Sequence, residues 1–136
     1  MAAYASGRNY QVELTKGIAV CKVWKRPDLS REEGAAMAQE KVVLLSRLAQ
    51  GPRSMAKALL LDLRLAPTAW GPMTQLALEE IFAAWEAAGR RLALLVADDS
   101  LQLMLLRQSL ERAAPKQGRA FQGDSEAEAY CLGRPT

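Results

Sequence analysis

Short apolar runs and longer stretches with apolar residues three or four apart take turns along this chain. That is how buried strands and the helices joining them read. The clearest run is Ala58-Leu59-Leu60-Leu61-Asp62-Leu63-Arg64, closed off by Pro67 and Gly71-Pro72 and followed by a strongly periodic segment. It predicts a buried strand over 58–63 and a helix over 72–88 with Thr74, Leu78, Ile81, Phe82 and Trp85 on one face. Proline suits the first turn of that helix, because the amide it forfeits would be unpaired there. Gly89 is the expected C-terminal cap. A second unbroken run, Leu92-Ala93-Leu94-Leu95-Val96, has the character of a strand covered on both faces of a parallel sheet.

Upstream, residues 10–14 and 18–25 read as two extended segments around Thr15-Lys16-Gly17, a hairpin-sized turn. Arg26-Pro27-Asp28-Leu29-Ser30 stops the second. Ser30 and Glu33 have capping-box spacing, so a helix follows to about Ala49, with Ala38, Val42, Leu45 and Ala49 inward, until Gln50-Gly51-Pro52 ends it. After Val96, one of Asp98, Asp99 or Ser100 caps a third helix reaching Ala114-Pro115. A strand over 119–121 and a helix over 125–132, capped by Asp124, complete the chain. The order β-β-α-β-α-β-α-β-α predicts an α/β fold: a mixed, mostly parallel sheet opened by an antiparallel hairpin, with right-handed crossovers. Residues 1–8 read as a flexible N-terminus, 9–132 as one domain and 133–136 as a tail.

Composition narrows the function classes. At 136 residues, half of them apolar and 24% charged, the chain can bury a core without a metal or disulfide. Its longest apolar runs fall well short of the ~20 residues of a membrane helix. Residues 1–8 hold no apolar stretch of secretory-signal length, so a cytoplasmic address is expected. There is no histidine, and Cys21 and Cys131 are far apart. A His-based triad and a zinc site are thereby excluded, and both cysteines read as small buried hydrophobes. The net charge of +3 is small. Its basic residues are dispersed as Lys22, Lys25 and Arg26, then Arg90-Arg91, then Arg107 and Arg112, which reads as solvated surface and not as a nucleic-acid patch.

The strand 59–63, its spacing to 92–96 and the terminal Phe121-x-x-Asp124-x-x-x-x-Ala129-Tyr130-x-Leu132 together resemble the STAS family, the domain of bacterial anti-sigma-factor antagonists, over residues 9–132. The resemblance implies a regulatory protein-binding module. In some members the helix after the central strand starts at a phosphorylatable serine in an Asp-Ser-x-Gly-Leu-like turn. Here that turn reads Ala66-Pro67-Thr68-Ala69-Trp70-Gly71-Pro72-Met73-Thr74. The Asp-Ser pair is missing, so the family's phosphorylation transfers to no residue, and Thr68 and Thr74 remain as the only hydroxyl candidates.

Two further constellations stand out. Asp62, Asp98 and Asp99 fall near the carboxyl ends of neighbouring strands, where α/β sheets bind ligands. Helix capping and local bonds account for them without a metal, and no nucleophile or phosphate loop accompanies them. The third helix carries Leu103, Leu106, Leu110 and Ala113 on one stripe, yet Leu101 and Leu105 on roughly the opposite side with Met104 on a flank. Surplus apolar side chains of that kind mark a partner surface, with Trp70 and Met73 as a second patch. Trp24 reads as cover for a sheet edge. The expectation is therefore a non-enzymatic, regulatory interaction module without catalytic residues, cofactor, metal, nucleic acid or membrane. Its contacts would lie at Thr68, Trp70, Met73, Thr74, Leu101, Met104 and Leu105, and its partner would be another protein or a second copy of the chain. The alternative is a carrier of an apolar or nucleotide-like small molecule, favoured by a pocket lined by Trp70, Met73 and Trp85.

Overall fold

A computed structural model describes residues 2–67 and 71–134. Ten elements run in the order β1 (Ala2–Ser6), β2 (Tyr10–Thr15), β3 (Ile18–Trp24), α1 (Arg31–Gln50), β4 (Ala58–Leu65), α2 (Pro72–Ala87), β5 (Arg91–Leu95), α3 (Ser100–Ala113), β6 (Gly118–Phe121) and α4 (Asp124–Cys131). The strands form one mixed sheet in sequence order. β1–β2 and β2–β3 are antiparallel, while β3–β4, β4–β5 and β5–β6 are parallel. Each parallel step goes to the adjacent strand in the same direction, and crossovers of one hand then place their helices on one face. Accordingly α1, α2 and α3 cover the main core, built on Cys21, Leu59, Leu61, Leu63, Leu92 and Leu94. On the other face α4 seats Ala127 and Cys131 against Ile18, Ala58, Leu60, Ala93 and Leu95.

This two-sided cover explains the unbroken runs in β4 and β5. β2 lies beyond α4, and there Tyr10 and Val12 are buried while the alternating Gln11 and Glu13 are half-exposed. Its turn puts Lys16 and Gly17 at φ 56° and 76°, the left-handed pair a two-residue hairpin needs. The opening residues, expected to be a flexible tail, instead form β1 on the free edge of β2, with a bulge between Ala3 and Ala5. Ala2–Ser6 has only Tyr4 to favour a strand. The unpaired backbone row of β2, not local propensity, supplies the reason for pairing.

Capping follows the sequence at two helices of three. Ser30 Oγ accepts from the Glu33 N–H at 3.1 Å and Glu33 Oε1 from the Ser30 N–H at 2.9 Å, a complete capping box. Asp99 caps α3, accepting from the Leu101 and Gln102 amides at 3.0 and 3.1 Å. Asp124 does not cap α4. Gly123 holds that position, and Asp124, in the first turn, accepts from Arg64 Nη1 at 3.2 Å.

Three polar side chains, Gln102, Ser109 and Arg90, turn inward where the sequence reading has none. α3 buries Gln102, Leu106, Ser109 and Leu110, with Leu103 only flanking the core. Gln102 Nε2 donates to the Leu63 carbonyl and its Oε1 accepts from the Ala97 N–H, both at 3.0 Å, so one side chain ties together the ends of β4 and β5. Arg90, expected on the solvated surface, is buried instead. It donates to the carbonyls of Leu48 (3.0 Å), Ala56 (2.8 Å) and Gly51.

β6 begins where α3 ends, and Gly118 makes that approach possible. A Cβ there would lie 2.6 Å from Leu110 Cδ2 and 2.8 Å from the Ala114 carbonyl oxygen. Since backbone cannot yield as a flexible side chain does, Gly118→Ala is expected to cost about 1–3 kcal/mol. A thermal melt reads this directly, and an unchanged midpoint would mean that β6 sits farther from α3.

Candidate functional site

The carboxyl ends of β3, β4 and β5 gather the features that call for a function. Leu65 closes β4, Met73 and Leu76 lie in the first turns of α2, and Leu101 and Met104 in those of α3. These five are among the eight large apolar side chains exposed among the described residues, at 71%, 66%, 59%, 50% and 49%. Because each helix starts where its strand ends, all five stand at one end of the sheet. A polar seam joins the two helices below them: Arg112 Nη2 donates to Glu79 Oε2 at 2.6 Å, Gln75 Nε2 to the same oxygen at 2.7 Å, and Gln75 also reaches Ser109 Oγ. Gln75 is the fourth residue of α2 and Ser109 the tenth of α3, so α3's first turns project past the start of α2.

Leu101 and Met104 lie exposed as expected. Leu105 differs: it is half-buried, one turn before Ser109 on the side of α3 that meets α2. Met73 is exposed in α2's first turn and Thr74 half-buried behind it, while Thr68 and Trp70 fall outside the described residues.

Behind this rim a cavity of about 200 Å³ opens between α1 and α2. Val23 and Trp24 of β3, Leu61 and Leu63 of β4, and Thr74, Leu78 and Ile81 of α2 line it, with Leu29, Ala38 and Lys41 from the α1 side. It is not the pocket the sequence suggests. Trp85 is fully buried in the main core and Met73 points outward. Trp24, read as cover for a sheet edge, lies on an interior strand and walls the cavity.

Lys41 is the residue that sequence reasoning missed. Its Nζ donates to Asn9 Oδ1 at 3.0 Å and lies 5.1 Å from the Tyr10 ring centroid. Burial pulls the ammonium down to about 8, against the opposing pull of Cys21 and Glu40. Glu40 itself accepts from the Tyr10 hydroxyl at 2.8 Å, and burial together with that bond pushes the phenol up to about 12. Cys21, on the sheet nearby, is held as a thiol by burial, which also raises it to about 12. The signal was present in the periodicity: Lys41 falls three residues after Ala38 and four before Leu45, on the inward row of α1.

The carboxylates singled out in the sequence do not converge. Asp62 Oδ1 and Oδ2 receive Arg64 Nε and Nη2 at 3.0 and 2.8 Å. Burial alone would raise the Asp62 carboxyl, but the hydrogen bonds from Arg64 outweigh it and hold it below the ordinary range. Asp99 is occupied as a helix cap and Asp98 is exposed. Among the described residues no group of three or more Asp, Glu, His or Cys side chains is placed to hold a metal ion, and no helix is long and apolar enough to cross a membrane. No protein-family model, curated protein or solved structure matches this chain.

Proposed function

We propose that this chain is a non-enzymatic, regulatory protein–protein interaction module of STAS-like type, with its contact surface at the carboxyl end of the sheet. The observation that carries the reading is the concentration of Leu65, Met73, Leu76, Leu101 and Met104 on that one end. Exposed apolar groups gathered in this way are costly in water and are kept where a partner covers them. The order of strands and helices supports the STAS-like assignment, and the missing Asp-Ser pair supports a member that is not switched by serine phosphorylation. Two unpaired, buried cysteines accord with a cytoplasmic address.

Apolar anchors at the centre of an interface dominate its affinity. Replacing Met73, Leu76 and Leu101 together by aspartate is therefore expected to abolish capture of the partner retained from native lysate by the unmodified protein. Val43→Asp, on the exposed side of α1, leaves it. The captured protein, produced on its own, binds the unmodified chain and Val43→Asp alike in a titration and fails to bind the triple variant. Equal capture by all three proteins would remove the surface from consideration.

A further inference from the structure

We infer that the cavity between α1 and α2 binds a small organic carboxylate with an apolar body, its carboxylate received by the Lys41 ammonium. The site goes beyond the protein-binding reading and does not depend on it. Charge selects the ligand: the charged side chains lining the cavity among the described residues are Lys25, Arg26 and Lys41, with no carboxylate. Arg26 is already committed, donating to Asp28 at 2.7 and 2.6 Å and to the Arg8 carbonyl at 2.7 Å. Lys41 is not: an amide oxygen and a tyrosine ring are its neighbours, and no ion pair of the described residues includes it. Glu40, next in the chain, is turned to the Tyr10 hydroxyl. An ammonium held against apolar walls, with Glu40 acting on it only from beyond ion-pair distance, is costly, and an incoming carboxylate supplies both a direct charge and an acceptor.

Size and wall chemistry set the rest of the ligand. At about 200 Å³ the cavity is smaller than the ~300–1,000 Å³ of sites for drug-sized molecules, so the apolar body is short. Val23, Trp24, Leu29, Leu61, Leu78 and Ile81 provide its contacts. A phosphate fits less well, because its oxygens need several converging donors. At the nearby start of α1 the Ser30 and Glu33 amides are already taken by the capping box.

The test titrates the full chain with hexanoate, hexanol and hexylamine, followed by amide shifts in a ¹H–¹⁵N spectrum. Saturable shifts are expected at Val23, Trp24, Leu29 and Leu78, with hexanoate roughly tenfold or more tighter than hexanol, as a charge-assisted hydrogen bond implies. Hexylamine should not bind. Lys41→Met and, as a variant that keeps a polar head, Lys41→Gln should bring hexanoate down to the hexanol level without changing hexanol. Hexanoate binding no tighter than hexanol, shifts elsewhere on the protein, or full hexanoate affinity in a folded Lys41 variant would each overturn the assignment. The comparison of the three probes on the unmodified chain decides the matter if neither variant folds.

Discussion

Arg90→Met is expected to destabilise the domain by about 3 kcal/mol, since the Gly51 and Ala56 carbonyls lose this donor at about 1–3 kcal/mol each, while the Leu48 carbonyl keeps the Gly51 N–H. The guanidinium serves three carbonyls at once: Leu48 in the last turn of α1, Gly51 just past it, and Ala56 before β4. Its charge also lies at the negative end of α1, where a cation is favourable. The opposing effect is the burial of a charge with no acidic partner. Burial and the nearby Arg53 lower its pKa from the ordinary arginine value, yet an arginine stays charged in either case. Methionine relieves that desolvation and fills the stem's space, but it restores none of the three bonds. Arg90→Lys keeps a charge and loses the planar fork that spans three acceptors, so it should fall between the two. Urea titrations of the three proteins give the order directly. A midpoint for Arg90→Met equal to that of the unmodified chain would show that water replaces the arginine without loss.

Arg90 also shows where sequence reading reaches its limit. The pair Arg90-Arg91 looks like a basic surface step. Gly89, at φ 66°, ends the α2 turn, and the strand register then sends alternate residues to opposite sides. Which of the two arginines is buried depends on α1 ending above that spot, a contact 39 to 42 residues away in sequence. Elements governed by local chemistry were legible: the Ser30 capping box, the Thr15-Lys16-Gly17 turn, and the runs of β4 and β5. β1 was not, because an alanine-rich segment becomes a strand only through the edge it meets. The same holds within the site. Leu101 and Met104 are exposed on the outer side of α3 as its spacing implies, whereas Lys41 was legible by period and hidden by its residue type.

Helix α3 provides the sharpest measure of this, because leucines lie on every side of it and only packing says which of them matter. Leu106 is 2% exposed and Leu101 50%. Truncating a buried leucine costs about 2–5 kcal/mol, and a serine hydroxyl placed in the same apolar site adds a further penalty when it finds no partner. Leu106→Ser should therefore bring the domain close to unfolding at ordinary temperature, given the ~5–15 kcal/mol total stability of a domain. Leu101→Ser should change stability by about 0.5 kcal/mol or less. Leu105 decides the phase of the helix. On the spacing of leucines alone it belongs with Leu101, whereas its half-buried position on the row of Ser109 places it between the two. Denaturant midpoints in the order Leu101→Ser, Leu105→Ser, Leu106→Ser, from highest to lowest, are the expected result. If Leu105→Ser matched Leu101→Ser instead, α3 would be turned outward at its start. The polar row of Gln102 and Ser109 would then not be what holds it against the sheet and α2.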